Sequence, residues 1–154
     1  MDIKNYRPRI IDPIIRQRLK AFGGILITGP KWCGKSTTGL FHAKSFINMD
    51  VPENREQYHL APQLIMNGTY PRLIDEWQDT PSVWDRARRI IDNEQRPGLF
   101  ILTGSSVPGE QPSHSGTGRF SRLKLRPMTL FESGESKGAL SLKKLFEGKK
   151  LPAS

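Results

Sequence analysis

Apolar positions along this chain alternate between helical spacing and short unbroken runs. In IDPIIRQRLK, Ile11, Ile14, Ile15 and Leu19 recur at helical intervals, and Asp12-Pro13 reads as an N-cap followed by a first-turn proline. Gly24 to Thr28 is then continuously apolar, as expected of a strand buried on both faces. Thr37 to Lys44 reads as a short helix, Ser45 to Asp50 as a second strand, and Glu56 to Gly68 as partly helical, broken at Pro62 and stopped at Asn67-Gly68. Arg72 to Trp77 supplies a third strand. TPSVWDRARRIIDN opens a helix with Thr80 as cap and Pro81 in its first turn, Leu99 to Gly104 is a fourth strand, and Arg119 to Thr129 alternates as a fifth. This strand–helix alternation, with no internal repeat, predicts an α/β fold: a parallel sheet covered by helices on both faces, with ligands at the carboxyl ends of the strands.

The connection between the first strand and its helix carries the strongest chemical signal. GPKWCGKST has the spacing Gly29-x-x-x-x-Gly34-Lys35-Ser36 of a phosphate-binding P-loop, in which glycines let successive backbone N–H groups surround a phosphate. Gly29, Pro30, Lys31, Trp32, Cys33, Gly34, Lys35, Ser36 and Thr37 are therefore the candidate nucleotide-binding residues. Lys35 would reach the β/γ-phosphates and Ser36 would ligate Mg²⁺. Cys33 reads as a small side chain fitted beside phosphate. Trp32 either covers the nucleotide or docks on the domain.

At the end of the third strand, Leu73-Ile74-Asp75-Glu76 leads apolar residues into two acids, the pattern expected where one carboxylate supports Mg²⁺ and the next orients an attacking water. Asp75 is assigned the metal side and Glu76 the water. Thr103, with Ser105 and Ser106 behind it, ends the next strand where a γ-phosphate would be sensed. Arg119, after a glycine-rich loop, is a candidate arginine finger supplied across a homo-oligomer interface, whereas Arg122 reads as a surface residue. Trp84 and Arg88, four apart on one helix, read as a core tryptophan with an arginine over its edge. His42, His59 and His114 lack metal-ligand spacing with one another.

The chain has 154 residues and a formal net charge of +9, enough for one ordinary core. Residues 1–150 are read as a single domain and 151–154 as a tail. The positive excess sits at the two ends, while residues 24–118 carry nine basic and ten acidic groups. A basic end attracts nucleic acid or another acidic partner, or is simply a solvated face. No apolar run approaches a membrane span and the first residues lack the apolar core of a signal peptide, so a cytoplasmic location is expected. The single cysteine excludes an internal disulfide.

Together, GPKWCGKST, PRLIDEWQD, SVWDRARRIID, FILTGSS, HSGTGRFSRLKLRPMTLFE and SGALSLKKLF resemble the N-terminal ATPase core of the DUF4143-containing AAA+ ATPases, in order and over nearly the whole chain. The resemblance implies an AAA+-type P-loop NTPase fold with strand order 5-1-4-3-2 and Mg²⁺-ATP as ligand, released as ADP and phosphate. It places the acidic pair at Asp75 and Glu76 and a sensor near Thr103. Members of that family are usually longer, with a C-terminal domain, so this chain corresponds to a truncated form or an isolated core, and the lid that closes over ATP is unaccounted for. A small-molecule kinase and a nucleotide-regulated DNA-binding or interaction module are the alternative readings. Glu76 next to Asp75 favours water as the acceptor over a kinase substrate.

Overall fold

The computed structural model describes residues 5–105, 118–139 and 141–148. Five parallel strands, β1 (Gly24–Gly29), β2 (Ser45–Asn48), β3 (Arg72–Asp75), β4 (Phe100–Ser105) and β5 (Phe120–Lys124), form one sheet in the order β2-β3-β4-β1-β5. That is the expected order 5-1-4-3-2 counted from the other edge. The helices are α1 (Asp12–Ala21), α2 (Lys35–His42), α3 (Pro52–Leu60), α4 (Pro62–Met66), α5 (Ser82–Glu94), α6 (Leu130–Ser133) and α7 (Leu142–Phe146).

Strand alternation divides the core into two layers. Successive side chains of a strand point to opposite faces, so Ile25, Ile27, Leu73 and Ile101 pack on one side with Ile15 of α1 and, partly buried, Leu40 of α2. Leu26, Ile74, Phe100 and Leu102 pack on the other with Tyr58 of α3, Ile65 of α4 and Trp84 of α5. The sheet is thus covered on both faces. Trp84 is fully buried and stacks on Phe120 at 4.5 Å between ring centroids, the structural role read for it, and Pro62 separates two helices as expected.

Several local expectations change. β5 stops at Lys124 rather than Thr129, because the Arg126 carbonyl accepts from Arg9, Pro127 has no N–H to offer a ladder, and Thr129 with Glu132 forms a capping box that starts α6. Thr80 does not cap α5: its hydroxyl is buried without a hydrogen-bond partner. Asp12 is the first residue of α1 rather than its cap. Its carboxylate instead accepts from the Arg9 N–H at 2.7 Å and the Tyr6 hydroxyl at 2.8 Å, and lies 3.0 Å from His42 Nε2, fastening the amino-terminal arm to α1 and α2.

Candidate functional site

β1 delivers the chain to the carboxyl end of the sheet at Gly29, and α2 leaves it at Lys35. Between them the backbone is left-handed at Trp32 (φ 66°) and Gly34 (φ 92°). A Cβ at Gly34 would in addition lie 3.2 Å from Arg9 Nη1, a tight approach. No side chain caps α2, so its first N–H groups are open to an anion at the positive end of the helix. Lys35 is 6% exposed, and its ammonium donates to the Pro30 carbonyl at 3.1 Å, across the mouth of the loop. Lys31, Trp32, Gly34, Lys35, Ser36 and Thr37 line a cavity of about 540 Å³, together with Asp50 and Glu76.

The acids reach this cavity by different means. Asp75 ends β3 in register with Thr103 of β4, is buried, and accepts from Ser36 Oγ at 2.9 Å and from the Thr103 hydroxyl. Glu76, on a regular strand, would point to the opposite face. Its backbone instead turns left-handed (φ 50°, ψ 45°), ending the strand two residues before Trp77 and bringing its side chain to the cavity wall. Gln78 in the following turn donates through Nε2 to the Glu76 carboxylate. Gly104 makes room for it: a Cβ there would lie 2.2 Å from Gln78 Oε1. Ser36 and Asp75 are hard oxygen donors, a hydroxyl and a carboxylate within hydrogen-bond distance, and suit Mg²⁺, which takes one or two protein ligands and fills its shell with phosphate and water.

The remaining sequence candidates fall in three groups. Thr103 is fully buried, donates to Asp75 and is not among the residues that line the cavity where a sensor was expected. Ser105 is half-buried at the end of β4, and Ser106 and His114 lie outside the described residues. Cys33 turns its side chain inward against Gly29 and the core, not toward phosphate, whereas Trp32 is fully exposed at the cavity mouth. Arg119 lies at the opposite end of the sheet: its carbonyl accepts from Gly24, the first residue of β1, about 16 Å of strand away from the loop. There it donates through Nε to Asp92 at 2.6 Å, which holds the Asp92 carboxyl below its ordinary value. Within its own chain it does not reach the site. Among the described residues no cluster of His, Cys, Asp and Glu suits a metal by itself, and no helix is long and apolar enough to cross a membrane.

Three contributors were not found from the sequence. Asp50 was read as the end of a strand, Gln78 had no motif to mark it, and Arg9 was counted only as part of a basic end. A second cavity of about 380 Å³ adjoins the first, sharing Trp32, Gly34 and Thr37, and is walled by Tyr6, Arg9, Thr38 and Met128.

A parallel α/β sheet with a glycine-rich loop, an uncapped helix and a strand-end acid bonded to the loop serine defines a P-loop nucleotide-binding domain. A family model for an AAA domain matches residues 22–133, and the chain belongs to that family of nucleotide-binding NTPases. The match supports the AAA core of the resemblance and does not extend to DUF4143. Two uncharacterized mycobacterial proteins, Mb2031c of Mycobacterium bovis and Rv2008c of Mycobacterium tuberculosis, are each 29% identical over 128 residues, 79% of this chain. The chain spans only 29% of the length of either relative.

Proposed function

We propose that this domain binds Mg²⁺-ATP and hydrolyses it to ADP and phosphate. The observation that carries the reading is the 2.9 Å bond between Ser36 and Asp75, which joins the phosphate loop to the acidic strand end beside a cavity also lined by Lys35 and Glu76. In this reading the loop amides and the α2 N-terminus hold the phosphates, and Lys35 exchanges its contact with the Pro30 carbonyl for the β/γ-phosphates. Ser36 and Asp75 would hold Mg²⁺, which when bound offsets charge between the phosphates. Glu76, braced by Gln78, orients the water that attacks the terminal phosphorus, and ADP is the leaving group. The adjoining cavity, where Tyr6 and Met128 supply ring and thioether surface, offers room for the base. Arg119 would act only across an interface between copies, stabilising charge at a neighbour's site.

A fluorescent ATP analogue titrated with and without Mg²⁺ tests binding, and phosphate release tests turnover. Lys35→Ala should weaken binding strongly, and Glu76→Gln should bind normally but lose turnover. Equal affinity in Lys35→Ala removes the loop from the reading. Normal turnover in Glu76→Gln removes the water-orienting role.

A further inference from the structure

We infer that Arg9 is a positioning residue for the phosphate loop, and that through Glu132 it makes nucleotide affinity depend on the docking of the segment after β5 against the amino-terminal arm. Arg9 lies outside the loop motif and is 6% exposed. All three of its guanidinium nitrogens are engaged. Nη1 donates to the Cys33 carbonyl at 2.9 Å, Nη2 to the Arg126 carbonyl at 2.7 Å, and Nε to Glu132 Oε1 at 3.0 Å. Three stretches far apart in sequence therefore meet on one planar group.

The Cys33 contact matters most. Cys33–Gly34 is a trans peptide, in which the carbonyl and the following N–H point in opposite directions. Fixing the Cys33 oxygen therefore fixes the direction of the Gly34 N–H, one of the loop donors on which anion binding depends. The fit is close: a Cβ at Gly34 would lie 3.2 Å from Arg9 Nη1. Left-handed backbone at Trp32 and Gly34 gives the loop other arrangements to relax into, and a rigid bidentate-capable fork is suited to exclude them.

Glu132 completes the device. It accepts from the Thr129 N–H at 2.8 Å within the capping box and from the Ile10 N–H at 2.8 Å, next to Arg9 itself. The same carboxylate thus starts α6, holds the arm and orients the guanidinium. Arg7 adds a fourth tie by donating to the Ser133 carbonyl at 2.7 Å. Anything that lifts α6 from the arm would release Arg9, and with it the Cys33 carbonyl.

This inference rests on nucleotide binding at the loop, and the test separates the two. Tripolyphosphate, which engages the loop without a base, is titrated by competition against a fluorescent ATP analogue in the intact chain, wild type and Arg9→Gln, Arg9→Lys, Glu132→Gln and Lys35→Ala. Wild type must bind and Lys35→Ala must lose affinity, or nucleotide binding itself fails. Given that, Arg9→Gln should weaken tripolyphosphate at least tenfold, and Arg9→Lys nearly as much, since lysine keeps the charge but not the fork. Glu132→Gln, expected to fold even where Arg9→Gln does not, should lose about threefold. Backbone amide exchange in residues 31–36 should quicken in the Arg9 and Glu132 variants. Unchanged affinity in folded Arg9→Gln or Glu132→Gln, or full recovery by Arg9→Lys, overturns the inference, because a purely structural or purely electrostatic role predicts those results.

Discussion

Replacing Thr103 by valine isolates one bond at the centre of the site. Valine matches the shape of threonine, so the fully buried pocket on β4 stays filled and only the hydroxyl is removed. The Asp75 carboxylate, itself 4% exposed, then keeps the Ser36 donor and loses the Thr103 one. A hydrogen bond to a charged group contributes about 1.5–3 kcal/mol. In a domain of this size each kcal/mol moves Tm by about 2–4 °C, so the variant should melt roughly 3–12 °C lower. A carboxylate no longer held from behind should also raise the Mg²⁺ concentration needed for half-maximal nucleotide binding, while binding in chelator stays unchanged. Circular dichroism melts without nucleotide and a Mg²⁺ titration with a fluorescent analogue read the two effects. A Tm within a degree of wild type and an unaltered Mg²⁺ titration would refute the reasoning. If turnover alone fell, Thr103 would act on the phosphate itself, as a sensor does.

Three further outcomes are expected. Gly104→Ala should push Gln78 away from Glu76 and lower phosphate release at least fivefold with nucleotide affinity within twofold of wild type; equal loss of both would place the damage in the loop instead. For Glu132, burial works to raise the carboxyl, but the Thr129 and Ile10 N–H groups and Arg9 outweigh it and hold the value near 2 against an ordinary 4.5. Its folded-state value being depressed, its contribution is complete above about 4.5 and is lost as pH falls toward 2, so the Tm gap between wild type and Glu132→Gln should close over that range; a constant gap contradicts the assignment. If Arg119 serves a neighbouring copy, phosphate release per chain should rise with protein concentration, and mixing Arg119→Ala with Glu76→Gln should restore part of the rate, whereas a flat profile without rescue makes it a residue of its own β5 surface.

The loop was legible because its signal is local. An apolar run, two glycines at fixed spacing and a Lys-Ser pair each restrict the backbone or its chemistry between residues 24 and 36, and the structure follows them closely. The two-sided burial of the sheet was equally legible from the unbroken run Ile25, Leu26 and Ile27. What depends on partners distant in sequence was not. Arg9 is one basic residue among many until the fold brings Cys33, Arg126 and Glu132 to it. The left-handed turn at Glu76 has no glycine to announce it, and Gln78 acquires meaning only beside Gly104. Thr103 was placed at the right strand end, but the bond of its hydroxyl to Asp75 depends on strand pairing. The remote position of Arg119 follows from parallel topology: the residue just before a strand parallel to β1 lies at the end opposite the loop.

The placement of β1 between β4 and β5 governs when a nascent chain acquires its loop. Every ladder bond to β1 comes from residues translated long after it, at 100–105 and 120–124. Once residues up to 75 have emerged from the ribosome, β2 and β3 have each other, while β1 has neither neighbour. The segment that later carries the phosphates is therefore still unpaired, with its apolar strand available to chaperones or to self-association, for most of synthesis. Release factors or stalls that end translation before residue 100 would yield fragments containing the intact GPKWCGKST text without the sheet that shapes it, and these fragments should not be retained on immobilised nucleotide.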